Sequence, residues 1–145
     1  MKLRYLMMCI LGVLFAAPAS SGEVAVIANP SVPIHQISRT LLVDIYVGDV
    51  REWENGEPVV LLDLKPKSSV KEAFYNYLGK SSSRIKSIWM RHMLTGEGDP
   101  PEALDNQAEI LEWVTATPGA IGYVDRELVT GDVVTLAVIP YGESR

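Results

Sequence analysis

Residues 59–79, VVLLDLKPKSSVKEAFYNYLG, restrict the fold more than any other stretch of the chain. Val59 to Leu62 is an uninterrupted apolar run. A strand with one wet face alternates apolar and polar residues, so a run without alternation belongs to a strand covered on both faces. After a short basic loop, Val70, Ala73, Phe74, Tyr77 and Leu78 recur at i, i+3, i+4, i+7 and i+8, the spacing of a helix with one apolar face. Gly79 supplies its stop. A doubly covered strand running into an amphipathic helix is the building unit of layered α/β domains.

The flanking sequence has the same character. Glu23 to Ala28 (EVAVIA) predicts a first strand, broken by Asn29-Pro30-Ser31 and Pro33. Ser38 predicts the N-cap of a helix carrying Leu41, Leu42, Ile45 and Tyr46, with Gly48 ending it. In the polar loop that follows, Trp53 is the one large anchor, expected to cover an end of the core. Ser81 to Ser83 open a third helix with Ile85, Ile88, Trp89 and Met93 on its apolar side. His92 lies beside them and is expected to be packed and hydrogen-bonded, since no second ligand shares its spacing. Residues 95–101 predict a long turn. Asn106 and Glu109 have the form of a capping box for a helix carrying Ile110, Leu111, Trp113 and Val114, which ends at Thr117-Pro118-Gly119. Ala120 to Val124 and Asp132 to Ile139 predict the last two strands. The resulting order, β-α-β-α-α-α-β-β, predicts an α/β domain with crossover connections and a mixed central sheet flanked by helices.

The N-terminus is of another kind. Lys2 and Arg4 precede an apolar run from Tyr5 to Ala17, and Ala17-Pro18-Ala19 places small residues at a cleavage point. That is the layout of a secretory signal peptide. The expected division is a signal peptide at residues 1–19 and a single domain at residues 20–145, exported to the periplasm. The only cysteine, Cys9, would leave with the signal, so the mature domain would rely on its core rather than on a disulfide. The formal charge of −5 becomes more negative by two when Lys2 and Arg4 are removed. An acidic chain lacks the basic face that nucleic-acid backbones require, which excludes them as partners.

No catalytic set is legible. Neither His35 nor His92 sits in a nucleophile or metal motif, no glycine-flanked serine elbow is present, and the glycines form neither a P-loop nor a dinucleotide fingerprint. The reading is a non-enzyme without a cofactor or bound metal. Ser68 and Ser69 stand out instead. They lie between a buried strand and a helix, where loops run into helix N-termini and ligands of α/β sheets collect. Their hydroxyls, the first-turn amides at Val70 and Lys71, and the charges of Lys65 and Lys67 could together seat a small anion. The same residues admit a plainer role, because Ser69 with Glu72 three residues later reads as a capping box that uses the hydroxyl internally.

Three landmarks in order carry a family resemblance: IANPSVPIHQIS leading into LLVDIYVGDVREWENG, then SSVKEAF, then TPGAIGYV. The chain resembles the second lobe of the phosphate-type periplasmic substrate-binding proteins of ABC transporters, from about Val24 to Val124. The resemblance implies one lobe of a type II periplasmic-binding-protein fold and a link to phosphate or a similar oxyanion. In that family a Ser-Gly-Thr segment binds phosphate oxygens at a helix start, with an arginine shortly before it. By position those roles fall on Ser68, Ser69 and Val70, and the arginine position falls near Leu64. Serine replaces glycine, valine lacks the threonine hydroxyl, and only the neighbouring Lys65 could stand in for the arginine, without its bidentate fork. The family also closes two lobes on its ligand, and this chain has residues for about one. The resemblance therefore implies weakened or lost contact with phosphate. The alternatives left open are accessory work beside a membrane transporter or sensor, a homodimer, and an interaction module without a ligand.

Overall fold

The computed structural model describes residues 22–141. The expected signal peptide, with Cys9, lies outside the described residues. Five strands and four helices follow one another as β1 (Glu23–Ala28), α1 (Arg39–Tyr46), β2 (Val60–Leu64), α2 (Ser69–Leu78), α3 (Ser82–Leu94), β3 (Glu102–Leu104), α4 (Gln107–Ala116), β4 (Ala120–Asp125) and β5 (Val134–Pro140), with a single 3₁₀ turn, Arg126–Leu128, after β4. The strands form one sheet in the order β3-β2-β4-β1-β5. β2 is parallel to β3 and to β4, and β1 is antiparallel to β4 and to β5. The mixed sheet expected from the sequence is present, with one strand more than expected. β3 occupies three residues directly after Pro100-Pro101, too few to show a period, in a region that reads as turn.

Each face of the sheet has its own helices. Leu62 and Gly122 lie side by side against α4, where a Cβ on Gly122 would come within 2.9 Å of Ile110 Cγ2. The absence of a side chain at Gly122 lets α4 lie close to the sheet. Alternation then turns Tyr123 to the opposite face, where its ring stacks on Phe74 of α2 at 4.0 Å and 10°. Tyr46 of α1 meets Phe74 edge-on at 4.8 Å. Such pairs contribute about 0.5–1.5 kcal/mol each beyond the area they bury.

Serine and asparagine caps set the helix starts. Ser38, Ser68, Ser81 and Asn106 each accept the amide of the residue three positions on: Leu41, Lys71, Arg84 and Glu109. The cap of α2 is Ser68, one residue earlier than the capping box read at Ser69 and Glu72, because Ser68 alone is in the extended conformation that a cap requires. Gly79 closes α2 in the left-handed conformation, at φ 70°.

The anchors hold as expected. Trp53 is buried and donates its indole N–H to the Gly119 carbonyl at 2.9 Å, pinning the loop before β2 to the turn before β4. His92 is buried, its Nε2 lying 3.0 Å from the Val47 carbonyl and its Nδ1 2.9 Å from Glu97. Trp89 donates to the Tyr46 carbonyl at 2.9 Å and lies over Gly48, where a Cβ would be 2.8 Å from the ring. Met93, expected on the apolar side of α3, is half exposed, and His92 takes the buried position instead.

Candidate functional site

The chain leaves β2 across the face that carries α2 and reaches β3 on one side. It leaves β3 across the α4 face and reaches β4 on the other. Connections that diverge in this way open a crevice beyond the carboxyl ends of neighbouring parallel strands, here β2 and β4.

The crevice extends into the sheet. Register pairs between β2 and β4 exist only at Val60–Ala120 and Leu61–Ile121, although both strands continue beyond them. Past that point four backbone groups facing the gap take side-chain partners. Tyr46 donates its hydroxyl to the Leu62 carbonyl at 2.8 Å. The Leu64 amide donates to Asp63 Oδ1 at 2.8 Å and more weakly to the Tyr123 hydroxyl at 3.3 Å. Lys71 Nζ donates to the Leu64 carbonyl at 2.6 Å. Across the gap, the Asp125 amide donates to Gln107 Oε1 at 2.5 Å. Every one of these groups would be costly to bury unpaired.

Asp63 is the hub. Its carboxylate is buried, accepts the hydroxyls of Tyr75 and Tyr123, and lies 3.5 Å from Lys71 Nζ. Burial, and next the Asp63 charge, push the hydroxyls of Tyr75 and Tyr123 well above the ordinary tyrosine range, and Tyr46 moves the same way for the same reasons. All three therefore stay protonated and act as donors. Among the described residues no buried side-chain nitrogen or oxygen lacks a partner.

The residues singled out in the sequence sit on the rim of this crevice. Ser68 spends its hydroxyl on the Lys71 amide at 3.1 Å. Ser69 is exposed. Val70 buries its side chain. Among the described residues, no acceptor lies within hydrogen-bond reach of the Ser69 and Val70 amides. Lys65 Nζ meets Asp105 at 2.5 Å, and that bond raises the lysine pKa. Lys67 is exposed, holds the left-handed conformation at φ 78°, and has no carboxylate within ion-pair distance among the described residues. Leu64, near which the resemblance places an arginine, is buried and apolar. Of the residues expected to form a seat, Ser68 and Lys65 are thus engaged within the protein. Asp63, Lys71, Tyr123 and Gln107 are the residues that sequence reasoning missed. Asp63, a carboxylate one residue past an apolar run, was the one available signal.

The described residues have the fold of a single lobe of type II periplasmic-binding proteins. Solved structures similar to the chain are substrate-binding proteins of phosphate transport. A protein assigned as a phosphate ABC transporter substrate-binding protein from Clostridium perfringens, crystallised with bound phosphate, superposes with a TM-score of 0.67 at 19% identity over 79% of this chain and 44% of its own. An ABC-type phosphate transport receptor from Vibrio cholerae gives 0.65 at 15% identity, over 79% and 45%. PstS from Borrelia burgdorferi gives 0.58 at 15%, over 79% and 47%. The chain thus spans less than half the length of these relatives. No family model matches the sequence, and no curated protein matches it. Among the described residues no helix is long and apolar enough to cross a membrane.

Proposed function

We propose that the chain is an exported, non-catalytic oxyanion-binding domain that contacts phosphate or a similar anion from one side and serves as an accessory to a phosphate ABC transporter. The observation that carries this reading is the start of α2. The Ser69 and Val70 amides have no acceptor among the described residues, and Lys67, two residues before Ser69 in the chain, has no carboxylate within ion-pair distance among them. First-turn N–H groups, the positive end of a helix and a cation nearby in sequence are the elements of a small anion seat. It lies at the crevice edge where ligands of this sheet type collect. Residues 1–19 would direct export, and the periplasm would be the working compartment.

The seat as it stands is weak. Glu72 lies in the first turn of α2, and contacts made on one side in open solvent are screened by salt. Titration with inorganic phosphate at low ionic strength, followed through the amide resonances of residues 68–71, tests the reading. Shifts confined to those amides, diminished by Lys67→Glu and by added salt, are the expected result. An unchanged spectrum at millimolar phosphate would refute it.

A second reading has its own support. Ser68, Lys65 and Lys71 are already engaged within the protein, and Asp63 fills the crevice. On that reading the lobe keeps the fold as a protein-interaction module for a membrane transporter or sensor and no longer binds an anion. Unchanged association with such a partner after Ser68→Ala and Ser69→Ala would favour it.

A further inference from the structure

β3 is an edge strand, and a groove of about 460 Å³ separates it from α3. In a parallel ladder the N–H and C=O of one residue point to the same neighbour. The Leu104 carbonyl accepts from the Lys65 amide of β2, so Ala103 turns both of its main-chain groups outward, along the groove. The free edge is confined to that residue. Pro101 has no N–H to offer, and the Asp105 amide already donates to Glu109 at 3.0 Å. On the opposite wall α3 presents Met90 and Met93, which are 49% and 50% exposed, with Trp89 at the floor. Methionines of this kind adapt to varied apolar side chains. Toward the start of α3 the groove turns basic. Lys86 has no carboxylate within ion-pair distance among the described residues, and the one acid there, Asp63, is balanced by Lys71 and the two tyrosine hydroxyls.

From this we infer a docking site for an extended segment of a partner protein, added alongside β3. Ala103 would fix its register through main-chain bonds, apolar side chains at alternate positions would enter between Met90, Met93 and Trp89, and an acidic side chain would meet Lys86. An edge strand beside a helix with an apolar groove between them is the geometry in which β-strand addition gives affinity through the main chain and specificity through alternate side chains. The proposal does not depend on the oxyanion reading, since Ser69 and Lys67 lie outside the groove.

Selection of random-sequence peptides displayed against the purified domain tests it, followed by titration of the leading synthetic peptide. The expected outcome is enrichment of sequences with alternating apolar residues and an acid at one end, whose binding shifts the Ala103 amide and the Met90 and Met93 methyl resonances. Met93→Glu, a surface change that should leave the melting temperature unaltered, should weaken binding by about tenfold or more. Lys86→Glu should weaken the acidic peptide, and the peptide with lysine in place of its acid should recover binding to that variant. Absence of enrichment would overturn the proposal, as would binders indifferent to both variants. Concentration-dependent self-association abolished by Met93→Glu would overturn it too, by naming a second copy of the chain as the occupant.

Discussion

Asp63 shows how much one residue can organise. A buried carboxylate is tolerated only when it is paired and hydrogen-bonded. Here one carboxylate satisfies two tyrosine hydroxyls, one main-chain amide and one lysine. Asp63→Asn removes the charge that balances Lys71 and should destabilise the domain by about 2–4 kcal/mol in urea unfolding. Lys65→Ala, which breaks an exposed pair, should leave the midpoint nearly unmoved. The tyrosines make a second prediction. Their hydroxyls ionise at about pH 10 in the unfolded chain and well above that in the folded one. A raised folded pKa means stability that is full below about pH 10 and lost as the pH climbs beyond it. Each such tyrosine steepens the loss by about 1.4 kcal/mol per pH unit. In an alkaline titration, tyrosinate absorbance from Tyr46, Tyr75 and Tyr123 should appear together with the loss of circular dichroism. Gradual ionisation in the folded protein would contradict the assignment. Apart from the hint at Asp63, this cluster could not be read from the sequence, because its members come from α1, β2, α2 and β4 and meet only after the sheet has formed. The caps were legible, since a cap is a local contest between a side chain and the next turn. The error at Ser69 was a choice between adjacent serines that only the backbone conformation resolves.

At the scale of elements, the strand-to-helix unit that dominates the sequence is present as β2 and α2, and the helices expected from periodicity fall where the apolar spacing placed them. What escaped was β3. Its short length, the prolines before it and its dependence on β2 for hydrogen bonds leave no periodic signal of its own. The contact between α4 and the sheet supplies an element-level test. Gly122→Ala would place a methyl 2.9 Å from Ile110 Cγ2 under a helix fixed at both ends. Asn106 caps its start, and Asn29 donates to the Val114 and Thr115 carbonyls at its finish, at 2.9 and 3.1 Å. With little freedom to withdraw, α4 should transmit the overlap as a loss of about 1–3 kcal/mol, measurable as a lower unfolding midpoint. An unchanged midpoint would mean that α4 can shift outward.

For the whole molecule, chain length was as informative as any motif. It predicted one lobe, and the described residues form one lobe, superposing on less than half of each solved structure named above. The lobe type was legible because three landmarks spread along the chain agreed on it. The state of the crevice was not, because it depends on where two strands part. That parting has a consequence for the motions of the domain. β2 is joined to β4 by two register pairs, and beyond them the Tyr123 hydroxyl of β4 reaches Asp63 and the Leu64 amide, while the other groups that β2 turns to the gap are held by Tyr46 of α1 and Lys71 of α2. Native-state hydrogen exchange should therefore divide the sheet in two. Amides of β1, β4 and β5 should open only with global unfolding, while β2, β3 and the start of α2 should exchange through a lower-energy opening as one cooperative unit. Tyr123→Phe should lower the protection of that second unit alone.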